Sequence, residues 1–173
     1  MPVATDNRHP TLRVDRRRLN QHLRTALKQL GRAHAEVSVS LVDDAEIRDL
    51  NKQWRGVDAV TDVLSFALND DNPGETGSPE VGLDLLGDII VSLDTAERQV
   101  AIVHGANAGR PELTQYRLDE EVLFLATHGL LHLCGYDHQE TAAADAMEAL
   151  ERKLMASVTT LDLHGADRSE HGV

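Results

Sequence analysis

The sequence predicts an α+β fold, one domain in which a small mixed sheet of four strands is packed by about five helices. Three patterns carry that expectation. Short segments alternate apolar and polar residues, and longer ones repeat apolar residues at helical spacing. The two kinds follow one another in the order β-α-β-α-β-β-α-α-α, and no internal repeat or linker divides the 173 residues. That length is enough to bury a real core.

Taken in order, TLRVD (11–15) alternates and reads as the first strand. RRRLNQHLRTALKQLG (16–31) sets Leu19, Leu23, Ala26, Leu27 and Leu30 on one helical face, with Asp15 as cap and Gly31 as stop. AEVSVSLV (35–42) alternates valine and serine, a strand with one buried face. DDAEIRDLNKQW (43–54) opens with Asp43 and Glu46 at capping-box spacing, so a second helix follows. DVLSFAL (62–68) is a third strand and DDNPGETGSPEVG (70–82) an acidic Pro/Gly loop. LDLLGDIIVSL (83–93) is a fourth strand, apolar enough to sit centrally. Asp94 caps a helix to about Ile102, and a small-residue connector spans 104–112. A long helix runs from about Leu113 to Cys134 and a last one over about Thr141–Met155, leaving 157–173 as a flexible tail.

Composition narrows the function classes. Aromatic residues are 3% of the chain, so aliphatic side chains must fill the core. One cysteine, Cys134, excludes an intrachain disulfide and fits a reduced, cytoplasmic setting. No run of 18 apolar residues and no apolar leader occurs, which predicts neither a membrane span nor a secretion signal. The net charge of −12 is uneven: residues 1–60 hold 11 Lys/Arg against 8 Asp/Glu, and residues 61–173 hold 6 against 21. Such a chain is a poor nonspecific nucleic-acid binder, because that affinity comes from Lys and Arg on phosphates. Any contact with RNA needs a local basic patch, which the first third can supply.

The chemistry concentrates in ATHGLLHLCGYDH (126–138). His128 and His132, four apart on the long helix, face one way and can share a metal ion. Gly135 stops the helix, and the reversal returns His138 toward the first two. The spacing is that of a zinc-peptidase pattern, a zincin-like site on a long helix, but Gly129 stands where that pattern has its catalytic glutamate. Three neutral imidazoles leave a fourth position of a tetrahedral Zn2+ open, as in catalytic sites. A closed structural site would recruit Cys134, which lies on another helical face. Glu121 shares the face of His128 but sits about 10 Å along the axis, too far to serve as base. Asp137 fits a turn or an orienting hydrogen bond better than a base. His9, His22, His34, His104, His164 and His171 stand alone and read as surface or loop residues. Without a positioned acid or base, peptide hydrolysis loses ground to phosphodiester chemistry, which leans on electrostatic clamping. The clamp candidate is Arg55, in a connector beside Gly56, although a solvated surface arginine is the more ordinary reading of that residue alone.

NKQWRGVDAVTDVLSF, LGDIIVS and HGLLHLCGYDH together resemble the YbeY family of bacterial single-strand-specific, metal-dependent endoribonucleases, across most of residues 35–155. The resemblance implies one Zn2+ per chain on His128, His132 and His138, and a functional arginine at Arg55. It also implies single-stranded RNA as substrate, a role in 16S ribosomal RNA 3′-end maturation and ribosome quality control, and the small ribosomal subunit or its assembly factors as partners. Two rival classes remain at this point: a metallopeptidase lacking its usual base, and a noncatalytic assembly factor whose metal only stabilises the turn.

Overall fold

The computed structural model describes residues 3–68, 84–159, 161, 163 and 164. The elements are β1 (Val3–Asn7), α1 (Arg16–Gln29), β2 (Ala35–Val42), α2 (Asp44–Arg55), β3 (Val63–Ala67), β4 (Asp84–Ser92), α3 (Leu93–Ala106), α4 (Leu118–Leu133) and α5 (Thr141–Met155), with a short 3-10 turn at Pro111–Gln115. The sheet runs β1-β2-β4-β3; β1 and β4 lie parallel to β2, and β3 lies antiparallel to β4. Four strands in a mixed sheet with five helices is the α+β arrangement that the patterning predicts.

β4 is covered on both faces, as its apolar run predicts. Ile89 and Val91 join the main aliphatic core with α1, α3, α4 and α5. Ile90, pointing the other way, packs with Val42, Ile47 and Leu64 under α2. Gly87 has φ +140°, and a Cβ there would lie 2.0 Å from the Phe66 carbonyl oxygen, so only glycine lets β3 approach. α4 is the central helix, buried at ten positions between Glu121 and Leu133. Among the described residues, no helix is long and apolar enough to cross a membrane.

Several expectations change. The first strand is Val3–Asn7, paired in parallel from Val3↔Val37 to Asn7↔Leu41, and not 11–15. The Thr11 and Leu12 amides instead donate to Nδ1 of His9, turning that segment, while Leu12 and Val14 pack on the core. The alternation there marks packing without a ladder. The long helix begins at Leu118, five residues later than predicted, because Pro111–Gln115 forms its own turn and Glu120 reaches back to the Arg117 amide. α3 is capped by Ser92, whose hydroxyl accepts from the Thr95 amide. Asp94 is drawn off by the Asp44 amide and His9.

Of the six histidines read as surface or loop residues, His9 and His164 do lie in loops, but His9 is buried there and the His164 side chain is 8% exposed. His22 lies on the buried face of α1. His34 and His104 are exposed, and His171 lies outside the described residues, as does the loop at 70–82. The segment read as a flexible tail does not start free at 157: Leu163 joins the main core, and His164 meets Glu151. Residues 165–173 lie outside the described part.

Candidate metal and active site

The site begins at the end of α4. Gly135, at φ +93°, takes the left-handed conformation that the helix stop requires. The Gly135 amide donates to the His132 carbonyl and the Tyr136 amide to the Leu131 carbonyl, each at 3.0 Å. Those two bonds make a Schellman turn, which reverses the chain while satisfying carbonyls the helix would leave open. The Asp137 carboxylate accepts from the His138 amide at 2.6 Å and braces the reversal. His138 is thereby carried back over the helix.

The three imidazoles meet. Ring centroids lie 4.6 Å apart for His128–His132, 5.0 Å for His132–His138 and 5.7 Å for His128–His138. One nitrogen from each lies within 4.8 Å of the others, and the Nε2 atoms of His128 and His132 are 3.0 Å apart. Ligand atoms about 2.0–2.1 Å from a tetrahedral ion lie about 3.4 Å from one another, so the spacing suits one ion.

The protonation of the set also fits. His128 donates from Nδ1 to the Glu151 carboxylate, which leaves the Nε2 lone pair facing its neighbours. Burial lowers the pKa of His132, and the charges of His128 and His138 lower it further, so its neutral form is favoured. Burial alone would raise the Glu151 carboxyl, but hydrogen bonds from His128 and His164 outweigh it and bring the pKa down to about 2. Glu151 is therefore an anion placed behind the His128 ring, the carboxylate–histidine pairing of metal sites. Cys134 is not part of the cluster, and burial pushes its thiol pKa up.

A cleft of about 1110 Å³ opens over the trio and is also lined by Arg55, Ser65, Asp137 and Glu151. Arg55 is the last residue of α2, one place earlier than the connector reading, and Gly56 stops the helix behind it in the left-handed conformation. Its Nη2 donates to the Ser65 carbonyl at 2.6 Å, and its guanidinium carbon stands 5.4 Å from the Phe66 ring centroid. On the same helix Arg48 and Lys52 pair with Asp58, whereas Arg55 has no carboxylate partner among the described residues. A guanidinium held by a carbonyl and a ring keeps its full charge and spare donors for an anion in the cleft.

Gly129 accounts for the missing peptidase base. A Cβ at this position would meet the Ile89 Cγ2 and Ser65 Oγ at 3.0 Å and the Val63 Cγ2 at 3.4 Å. α4 presses its backbone against β3 and β4 there, and the Ser65 hydroxyl donates to the Gly129 carbonyl. A glutamate would crowd these neighbours and place its carboxylate stem among Ile89, Val63 and Ser65. Glu121 is fully buried and does not line the cleft.

Sequence reasoning missed Glu151 and gave His164, read as a surface or loop residue, no place in the site. Glu151 does carry a trace in the sequence, since it occupies the apolar face of α5 with Met147, Leu154 and Met155. A charge on a buried helical face calls for a partner. His164 carries no such trace, because its placement depends on how the chain folds back after α5.

Fold and cleft together define a class: an α+β protein in which three histidines spaced for a metal ion share a cleft with an arginine that has no carboxylate partner among the described residues. More particularly, the chain belongs to the Endoribonuclease YbeY family, which it matches over residues 4–159, and so to hydrolases that act on RNA. It is similar to the Endoribonuclease YbeY of Moorella thermoacetica, 48% identical over 142 residues, covering 81% of this chain and 84% of that one. It is 40% identical over 159 residues to that of Pelotomaculum thermopropionicum, covering 90% of this chain and 95% of that one. The solution structure of TM1509 from Thermotoga maritima shares the fold, with a TM-score of 0.50 and 24% identity over 89% of this chain and 90% of that one.

Proposed function

We propose that this protein is, as one domain, a Zn2+-dependent, single-strand-specific endoribonuclease of ribosomal RNA processing. It acts on the 3′ end of 16S ribosomal RNA and in ribosome biogenesis, in the cytoplasm. One observation carries the reading: a metal-competent imidazole trio and an arginine with no carboxylate partner among the described residues line the same cleft. His128, His132 and His138 would hold the ion. Zinc supplies Lewis-acid polarisation of a phosphoryl oxygen and favours ionisation of water near neutral pH.

The chain's own groups do the rest. Arg55 grips a nonbridging phosphate oxygen and adds positive charge where an acidic body otherwise repels RNA. Asp137 braces the turn that positions His138. Trp54, next to Arg55, is 65% exposed and offers a flat face on which an unpaired base stacks. Bases within a duplex are already stacked, so such a platform favours single strands. Ribosomal RNA, and through it the small subunit or its assembly factors, is the partner this reading implies; exposed Arg16 and Arg17 are available to it. The crowding that a glutamate would meet at Gly129 weighs against a peptidase.

The test is cleavage of a defined RNA that carries both a duplex and an unpaired segment, with the His128→Ala variant purified in parallel. The wild type should cut only the unpaired segment, a chelator should stop it, and the variant should be inactive. Equal cleavage by the variant would identify a contaminating nuclease and remove the proposal.

A further inference from the structure

The carboxylate behind His128 has a second partner, supplied from beyond the family match. Glu151 is 6% exposed, and its two oxygens are engaged on opposite sides. Oε1 accepts from Nδ1 of His128, and Oε2 lies 3.1 Å from Nε2 of His164. The match to the family ends at residue 159, so His164 belongs to a segment outside it. Packing seats that segment, with Leu161 against the main core. Leu163 is 1% exposed in the main core, and the His164 ring stands edge-on to Phe124 with centroids 5.1 Å apart. Both residues line the cleft that holds the imidazole trio.

We infer that His164 is a positioning residue for the metal site. By donating from Nε2 to Oε2 it holds the Glu151 carboxylate in one orientation, which keeps Oε1 on His128 and the Nε2 of His128 directed at the ion. The physical argument is one of satisfaction. A buried carboxylate needs hydrogen bonds on both oxygens, and His164 is the partner of Oε2 among the described residues. Remove it, and the carboxylate gains by turning toward water in the cleft, which takes Oε1 away from His128. The His128 ring is then free to rotate and to exchange tautomers, and each reduces the fraction of chains ready to bind metal. The segment past α5 is thus part of the site, seated by its apolar side chains, the Phe124 ring contact and the Glu151 hydrogen bond.

This inference rests on the metal reading above, and the experiment separates the two. The full chain is stripped of metal and titrated with Zn2+ against a chromophoric chelator, then with Co2+, whose visible bands report ligand geometry. His164→Ala should weaken Zn2+ binding about tenfold, at the low end of the range for outer-shell partners, and shift the cobalt bands. His164→Gln, whose amide can still donate to Oε2, should bind within about threefold of the wild type and keep the wild-type bands. Wild-type affinity in His164→Ala overturns the inference and leaves the metal reading standing. A His164→Gln variant as weak as His164→Ala overturns the hydrogen-bond argument, since the two differ in that donor. Failure of the wild type to bind either ion removes both.

Discussion

The two faces of the sheet are built on different scales. On one, α1, α3, α4 and α5 bury an aliphatic core that extends from Val3 to Leu163. On the other, α2 covers the strands through Val42, Ile47, Leu64 and Ile90, with Leu50 and Phe66 half-buried around them. The histidines come from the thick side and Arg55 from the thin one. The division matches what the proposed roles require. A metal needs three nitrogens held within a few tenths of an ångström, which demands side chains on an element locked by packing. A guanidinium gripping phosphate has a long stem and several donors, so it tolerates a more lightly anchored helix. Low local stability is also usual where a substrate must enter.

Four substitutions break or sharpen that contrast. The largest effect belongs to the thick side. His128→Ala should cost both metal and cleavage, the latter by more than the about 100-fold that loss of an outer-shell partner brings. Metal analysis and the RNA assay on one preparation check it, and stoichiometric zinc in that variant would contradict the ligand assignment. Next comes Gly129→Glu, which restores the peptidase pattern in sequence only. Overpacking and a buried charge should cost about 3 kcal/mol or more of stability, read by denaturant unfolding, with no gain of protease activity.

The third effect lies directly beneath the site. His22 donates from Nε2 to the Thr127 hydroxyl, which in turn donates to the Leu123 carbonyl, and the Nδ1 of His22 has no hydrogen-bond partner among the described residues. Burial, aided by the Arg18 charge, lowers its pKa from 6.5 to about 4. The unfolded chain therefore takes up a proton in a range where the folded chain does not. The stability this residue allows is fully present above pH 6.5 and is lost progressively as the pH falls to about 4. The loss amounts to about 3 kcal/mol, and His22→Gln should flatten that part of the stability–pH curve. An unchanged slope in the variant would assign the acid sensitivity to other groups. The smallest effect belongs to the thin side. Trp54→Ala should weaken single-stranded RNA binding by about 1–2 kcal/mol without altering the melting temperature. Equal affinity would remove the stacking platform.

What the sequence reveals about this protein follows the range of the interactions. The imidazole trio is legible because everything that assembles it is local: helical spacing for His128 and His132, then the Gly135 turn for His138. The strands β2, β3 and β4 are legible because aliphatic runs mark them. β1 is not, since VATDN has weak strand formers at Asp6 and Asn7, and its ladder comes from a partner some thirty residues away. Arg55 looks like any surface arginine until the structure pairs Arg48 and Lys52 with Asp58 and gives Arg55 no carboxylate among the described residues. The Glu151–His128 contact spans 23 residues and exists through the packing of α5 on α4, which periodicity does not reach. His22 could have been suspected, as it lies on the buried face of α1 with Leu19, Leu23 and Ala26.

In the proposed function the two sides of the sheet converge on one RNA phosphate, the metal from one and Arg55 from the other. The most direct measurement is the single-turnover cleavage rate of Arg55→Ala at one bound zinc per chain, beside the wild type at equal loading. The account predicts a loss of about 10²–10³-fold with metal content and folding unchanged. A rate equal to the wild type's would contradict it.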